Sequence, residues 1–148
     1  MKPVYIMINE VGDKYYFSDK AMTVLHREDG PAIEYANGDK FWYLDGKLHR
    51  EGGPAIEYVN GDKEWYIYGR RHREDGPAIE HENDFKAWYV NGKCHRVNGP
   101  AFEFTNGEKR WYLDDVEIYE EEFNRRTKSS CEGKIIGVDG KKYKLTAI

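Results

Sequence analysis

A chain of 148 residues is long enough for one domain of ordinary size, and a composition of 39% hydrophobic and 15% aromatic residues excludes a disordered polymer, which is poor in rings. The formal net charge of −4 leaves no basic excess, which argues against a binder of duplex nucleic acid. No window approaches the roughly 18 apolar residues of a membrane span, and the apolar run within Met1–Glu10 is too short for a signal peptide, so a cytoplasmic location is expected.

In chain order, residues 1–24 come first, with Lys14-Tyr15-Tyr16-Phe17 reading as a degenerate half-repeat that supplies an N-terminal capping strand. An internal repeat then takes over. His26, His49, His72 and His95 lie 23 residues apart, and Trp42, Trp65, Trp88 and Trp111 keep the same period. So do Pro31, Pro54, Pro77 and Pro100, each between a Gly and an Ala. Residues 25–114 are thus four hairpin repeats. Residues 115–130 read as a short capping helix, with Glu120, Glu121 and Glu122 ahead of Arg125, Arg126 and Lys128, an order that suits the helix dipole. Glu121-Arg125 and Glu122-Arg126 are i,i+4 pairs, and Tyr119 shares a face with Phe123. Residues 131–148 are expected to form a last hairpin around Asp139-Gly140, with strands near 134–138 and 141–145. Cys94 and Cys131 show no metal-like spacing and read as free thiols, a disulfide between them remaining open.

Within the first repeat, Asn37-Gly38 signals a two-residue hairpin turn. Pairing outward sets Tyr35 opposite Lys40, Glu34 opposite Phe41, Ile33 opposite Trp42 and Ala32 opposite Tyr43. Opposed residues share a face, so Ile33, Tyr35, Trp42 and Leu44 are expected to form the core face, with Trp65 buried beside Ile56 and Ile67. The other face carries Ala32, Glu34, Phe41 and Tyr43. The Phe41 position holds Glu64, Ala87 and Arg110 in the later repeats, a mixture that points to exposure. Asp45-Gly46 marks a second tight turn inside a compact connection. In the third repeat Asn83-Asp84 replaces Asn-Gly, and that turn is expected to be the least stable. The fold class is mostly β: an antiparallel β-hairpin meander with two long strands per repeat, a short C-terminal helix and a terminal hairpin.

The run WYLDGKLHREGGPAIEYVNGDKEWY resembles MORN repeats, which have a similar period and place a Trp or Tyr, a Gly and then a His ahead of the next strand. The resemblance covers residues 25 to 114 and implies a twisted antiparallel meander. His-Arg-Glu-Asp-Gly-Pro stands where that family has a His-Gly-x-Gly run, so its lipid-binding role is not carried over. The string HREDGPA is also similar to repeat proteins of large tailed bacteriophages, which implies a host protein, such as a defence factor, as partner.

Every marked residue type recurs in four copies, whereas an active site needs one converging constellation. The chain is therefore expected to be a non-catalytic binding module with no cofactor. Adjacent histidines in the ladder would lie roughly 9 to 10 Å apart, too far to share a metal. The histidines and arginines are instead expected to brace the Gly-Pro corners, pairing with Glu34, Glu57, Glu80 and Glu103. The expected partner surface is the tyrosine ladder Tyr43, Tyr66, Tyr89 and Tyr112, with Phe41, Glu64, Glu82 and Arg110 tuning specificity. The alternative is a sponge for a nucleotide signal, with Arg27, Arg50, Arg73 and Arg96 as phosphate ligands.

Overall fold

The computed structural model describes residues 4–128 and two further strands, 135–138 and 141–144. The array opens with β1 (Tyr5–Ile8) and β2 (Lys14–Phe17). The first repeat contributes β3 (Ile33–Glu34), β4 (Lys40–Phe41), β5 (Tyr43–Leu44) and β6 (Lys47–Leu48). The second supplies β7 (Ile56–Glu57), β8 (Lys63–Glu64), β9 (Tyr66–Ile67) and β10 (Arg70–Arg71). The third supplies β11 (Ile79–Glu80), β12 (Lys86–Ala87), β13 (Tyr89–Val90) and β14 (Lys93–Cys94). The fourth ends the array with β15 (Phe102–Glu103), β16 (Lys109–Leu113) and β17 (Val116–Ile118).

Two strands of each repeat enter one 11-stranded antiparallel sheet, ordered β1-β2-β3-β4-β7-β8-β11-β12-β15-β16-β17. This is the expected meander, with strands much shorter than expected. The chain leaves the main sheet at each of the first three tryptophans and forms a second, satellite hairpin, β5-β6, β9-β10 or β13-β14. What reads as a compact connection in the sequence is this satellite. Its turn residues Asp45 and Gly46 both have positive φ, 48° and 75°, as a two-residue type I′ turn requires. Tyr68-Gly69, Asn91-Gly92 and Asp114-Asp115 repeat the geometry.

The main hairpin register differs from the expected one by a residue. Ile33 pairs with Phe41 and Glu34 with Lys40. The cause is the loop. Only Gly38, at φ 104°, is left-handed, so Asn37 stays in an ordinary conformation. The Tyr35 N–H donates to the Asp39 carbonyl at 3.0 Å, and the Gly38 N–H donates to the Tyr35 carbonyl. This is a three-residue loop closing on a left-handed glycine, the next commonest hairpin after the two-residue form. The Asn37 carboxamide oxygen accepts the Asp39 N–H at 3.0 Å and fixes the loop.

A slip of one residue exchanges the faces of one strand. Phe41 therefore joins Ile33 and Tyr35, while Trp42 joins Ala32 and Glu34. The position expected to be exposed is covered in the first three repeats, where Ala87 has no solvent exposure, Glu64 is half-buried and Phe41 is half-buried between Tyr35 and Tyr58, at ring separations of 5.5 and 5.8 Å; in the fourth, Arg110 is exposed as expected. Trp65, expected in the core, is half-buried, as is Ile67. The core proper is a thin double row. Ile33, Ile56 and Ile79 are buried on one face, and Ala32, Ala55, Ala78 and Ala101, all at 0% exposure, lie on the other. Burying each Ile contributes roughly 1.5–3 kcal/mol.

The helix α1 (Glu120–Lys128) forms where its charge order places it. Arg126 donates to Glu122 through Nε at 3.0 Å, but Arg125 also turns to Glu122, at 3.6 Å, rather than to Glu121. Phe123 is buried and Tyr119, just outside the helix, is exposed. The two do not form a common apolar stripe as expected, because the first helical turn begins after Tyr119. The terminal hairpin pairs β18 (Ile135–Val138) with β19 (Lys141–Lys144). Its turn at Asp139-Gly140 and Cys131 lie outside the described residues.

Candidate binding surfaces

The corner segments, His26–Pro31 and their equivalents, are built from one network repeated along the array. Arg27 donates through Nη1 to the Pro31 carbonyl at 3.2 Å and to Glu34 at 2.8 Å. Arg50, Arg73 and Arg96 do the same to Pro54 and Glu57, Pro77 and Glu80, and Pro100 and Glu103. Each guanidinium also lies over a ring of the preceding unit. Arg50 covers Trp42 at 3.9 Å, Arg73 covers Trp65 at 4.0 Å and Arg96 covers Trp88 at 3.7 Å, while Arg27 covers Tyr16 at 4.1 Å. Such stacking adds about 0.5–1 kcal/mol at exposed sites and more when desolvated. The glycine before each proline lies close under the arginine: a Cβ would stand 2.8 Å from Arg73 Cζ at Gly76 and 3.1 Å from Arg50 Cζ at Gly53, so the guanidinium would have to give way. The expected Arg–Glu pairing across the corner is present in all four repeats.

The histidines act differently from the arginines. His26 Nδ1 accepts the Asp45 backbone N–H at 3.1 Å, and His49, His72 and His95 accept from Tyr68, Asn91 and Asp114. Each imidazole thus holds the turn of the satellite hairpin. His26 is almost fully buried, with its Nε2 3.5 Å from Glu28. Among the described residues, no group of three or more His, Cys, Asp or Glu could hold a metal ion.

Open grooves lie between successive corners, with volumes of about 720, 420 and 550 Å³. The first is floored by Trp42 and Leu44 and walled by Arg27, Arg50 and Tyr68. The second and third have Trp65 with Ile67, and Trp88 with Val90, in the same places. Exposed carboxylates Glu51, Glu74 and Asp75 stand at the groove rims. Hydrogen bonds from Arg27 and Arg73 hold the Asp29 and Asp75 carboxyls below the usual range. The second repeat breaks this pattern, because Gly52 stands where the others have Asp29, Asp75 and Asn98. Arg50 Nε consequently makes no hydrogen bond among the described residues. Tyr68 occupies a left-handed turn position that Asp, Asn or Asp fills elsewhere, and stacks on His49 at 4.2 Å. A bulky side chain there is strained.

The tyrosine ladder belongs to the satellites themselves: Tyr43, Tyr66 and Tyr89 open β5, β9 and β13, and Tyr112 lies in β16. Tyr43, Tyr66, Tyr89 and Tyr112 are all half-buried. In the second repeat the Tyr66 hydroxyl donates to Glu64 at 2.9 Å, and Arg71 donates to the same carboxylate at 3.1 Å. Burial, with the Glu64 hydrogen bond, pushes the Tyr66 hydroxyl up to about 12. Burial and the Cys94 thiol push Tyr89 up to about 12. Of the four residues expected to tune specificity, Phe41 and Glu64 are half-covered and internally engaged, Glu82 is exposed, and Arg110 pairs with Glu108 at 2.8 Å. The structure therefore sets the Tyr ladder against the Ile33 face rather than on the expected Ala–Glu face, with Tyr89 and Tyr112 at 6.0 and 5.3 Å from Phe102, the Ile33 equivalent, and ties it to its neighbours. Sequence reasoning missed the satellite residues Leu48, Arg71 and Cys94, which pair with Tyr43, Tyr66 and Tyr89. The available signal was the turn pairs Asp45-Gly46, Tyr68-Gly69, Asn91-Gly92 and Asp114-Asp115, which recur every 23 residues.

No protein-family model matches the chain, and no curated protein matches it. The described residues contain no helix long and apolar enough to cross a membrane.

Proposed function

We propose that this chain is a non-catalytic protein-binding module that holds an extended segment of its partner along the grooved corner edge. The observation that carries this reading is the recurrence of one groove shape in three consecutive places, each with a Trp floor and a carboxylate rim. Strands about 4.8 Å apart and two strands per repeat space the grooves by roughly 10 Å, so side chains from one extended segment reach successive grooves. The rim favours basic residues in that segment. The resemblance to phage repeat proteins makes a host protein, including a defence factor, the partner class, and the binding is inhibitory on that reading. The Tyr ladder, being internally bonded, is the less suited surface. The test is a pull-down from bacterial lysate read by mass spectrometry, repeated with Glu51→Lys and Glu74→Lys. Both side chains are 86% exposed, so the fold should tolerate the changes. A stoichiometric host protein lost from the variants supports the reading. Retention by both, with loss by Tyr66→Ala, moves the site to the Tyr ladder.

One observation favours a second reading, a sponge for a nucleotide signal: Arg50 Nε, without a hydrogen bond among the described residues, lines the groove of about 720 Å³ together with Tyr68. A nucleotide released on heating the purified protein, and lost with Arg50→Gln, would put that reading first.

A further inference from the structure

The eleven-stranded sheet begins with β1, which among the described residues pairs on one side only, with β2. In an antiparallel pair, residues alternate between bonded pairs and pairs whose backbone groups face away. The Tyr16 N–H donates to the Ala32 carbonyl, and the Tyr16 carbonyl accepts the His26 N–H, so Tyr16 gives nothing to β1. Its partner in register is Ile6. The N–H and C=O of Ile6 therefore point away from the sheet, and by the same alternation so do those of Val4 and Ile8. The Asn9 N–H donates to the Asp13 carbonyl, which fits that parity. The same three residues carry exposed apolar side chains, with Val4 at 46%, Ile6 at 54% and Ile8 at 62% exposure.

Natural sheets blunt such an edge with Lys, Pro, a bulge or a covering element. The far end of the sheet shows that device: β17 carries Glu117 at its centre, beside the acidic turn Asp114-Asp115. The run formed by Val4 and β1 has no charge and no proline.

We infer that β1 is a homodimerisation strand, pairing antiparallel with β1 of a second copy about a two-fold axis at Ile6. The run is self-complementary in that register. Ile6 faces its own equivalent, Val4 faces Ile8 of the other copy, and Tyr5 faces Met7, so every apolar side chain meets another. The three outward-facing pairs, Ile6 with Ile6 and Val4 with Ile8 twice, are the bonded ones. A two-fold contact uses the same patch on both copies and closes. Pairing β1 with β17 of another copy would instead set Glu117 against an apolar strand and leave the assembly open-ended. The dimer continues the sheet across the axis and holds two grooved edges on one rigid body.

The test is sedimentation of the whole chain over a range of concentrations, with Ile6→Lys and Ile6→Glu variants. The parent should sediment at twice its monomer mass. Each variant sets like charges directly opposite and should raise the dissociation midpoint by at least about tenfold. Mixing the two variants should restore the dimer, because residue 6 then faces its opposite charge. A parent that stays monomeric throughout overturns the inference, as does an Ile6→Lys variant as dimeric as the parent. Variants that remain monomeric when mixed overturn the register centred on Ile6. A thermal melt of each variant confirms folding, and Ile8→Lys replaces Ile6→Lys should that protein fail to fold.

Discussion

The corner edge and the satellite side of the array are built from the same 23-residue period, yet one is nearly invariant and the other is not. At the corner, Arg, Gly, Pro and Glu recur in every repeat because each arginine must satisfy a backbone carbonyl, a carboxylate and a ring at once. No partial substitution meets all three demands. On the satellite side each repeat solves its packing locally. Phe41 is held by rings, Glu64 by Tyr66 and Arg71, and Ala87 leaves space beside Phe102, its partner in register. Variation is tolerated where contacts are pairwise, and suppressed where one side chain serves several partners.

That contrast can be broken from the corner outward. Arg73→Ala strips the Pro77 carbonyl and Glu80 of their donor and uncovers Trp65, and should cost about 2–3 kcal/mol, judged by chemical denaturation. Gly76→Ala forces a methyl group against Arg73 without any demand on φ, and should cost about 1–3 kcal/mol as an overpacked site does. A melt unchanged by Gly76→Ala would mean the arginine is not held where it lies.

The satellite side should respond more weakly and be repairable. Glu64→Ala leaves Arg71 and Tyr66 without their shared acceptor and should cost about 1–2 kcal/mol. Adding Arg71→Leu, which copies Leu48 of the first repeat, should recover part of that loss in a double-mutant cycle. Asp84→Gly relieves a left-handed residue, at φ 68°, and should stabilise the third hairpin by roughly 1 kcal/mol, raising the melting temperature.

A further effect is one of pH. Tyr66 and Tyr89 have hydroxyls raised from 10.0 to about 12. A group raised on folding contributes stability that is complete below its unfolded value and is lost as pH rises through its folded value. The array should therefore weaken between about pH 10 and about pH 12, and phenolate absorbance should show a late step that Tyr66→Phe reduces.

The repeat boundaries, the meander and the helix were legible because His, Trp and Gly-Pro recur with a fixed period and because Glu120–Glu122 precede Arg125 and Arg126. The Arg–Glu pairing was legible too, since both recur in step. The face assignment was not. Asn37-Gly38 is compatible with either a two- or a three-residue loop, and the choice depends on whether Asn37 turns left-handed or instead caps Asp39 with its side chain. That single choice reassigns Phe41 and Trp42. The stacking of Arg50 on Trp42 was hidden for the same reason, because the wrong register puts the Trp side chain among Ile residues rather than beneath the corner. The grooves follow from that stacking and could not be foreseen without it.

The histidine contacts have one more consequence. Each imidazole reaches only 19 residues ahead, to the turn of the next satellite, and each corner arginine reaches back only to the ring of the preceding unit. Nothing in this network measures the length of the whole array. A spliced or duplicated period would meet the same neighbours at both joints, and the end pieces would not register the change. The array is thus a ruler graduated in steps of roughly 10 Å, whose length evolution can reset by unequal recombination in a single event.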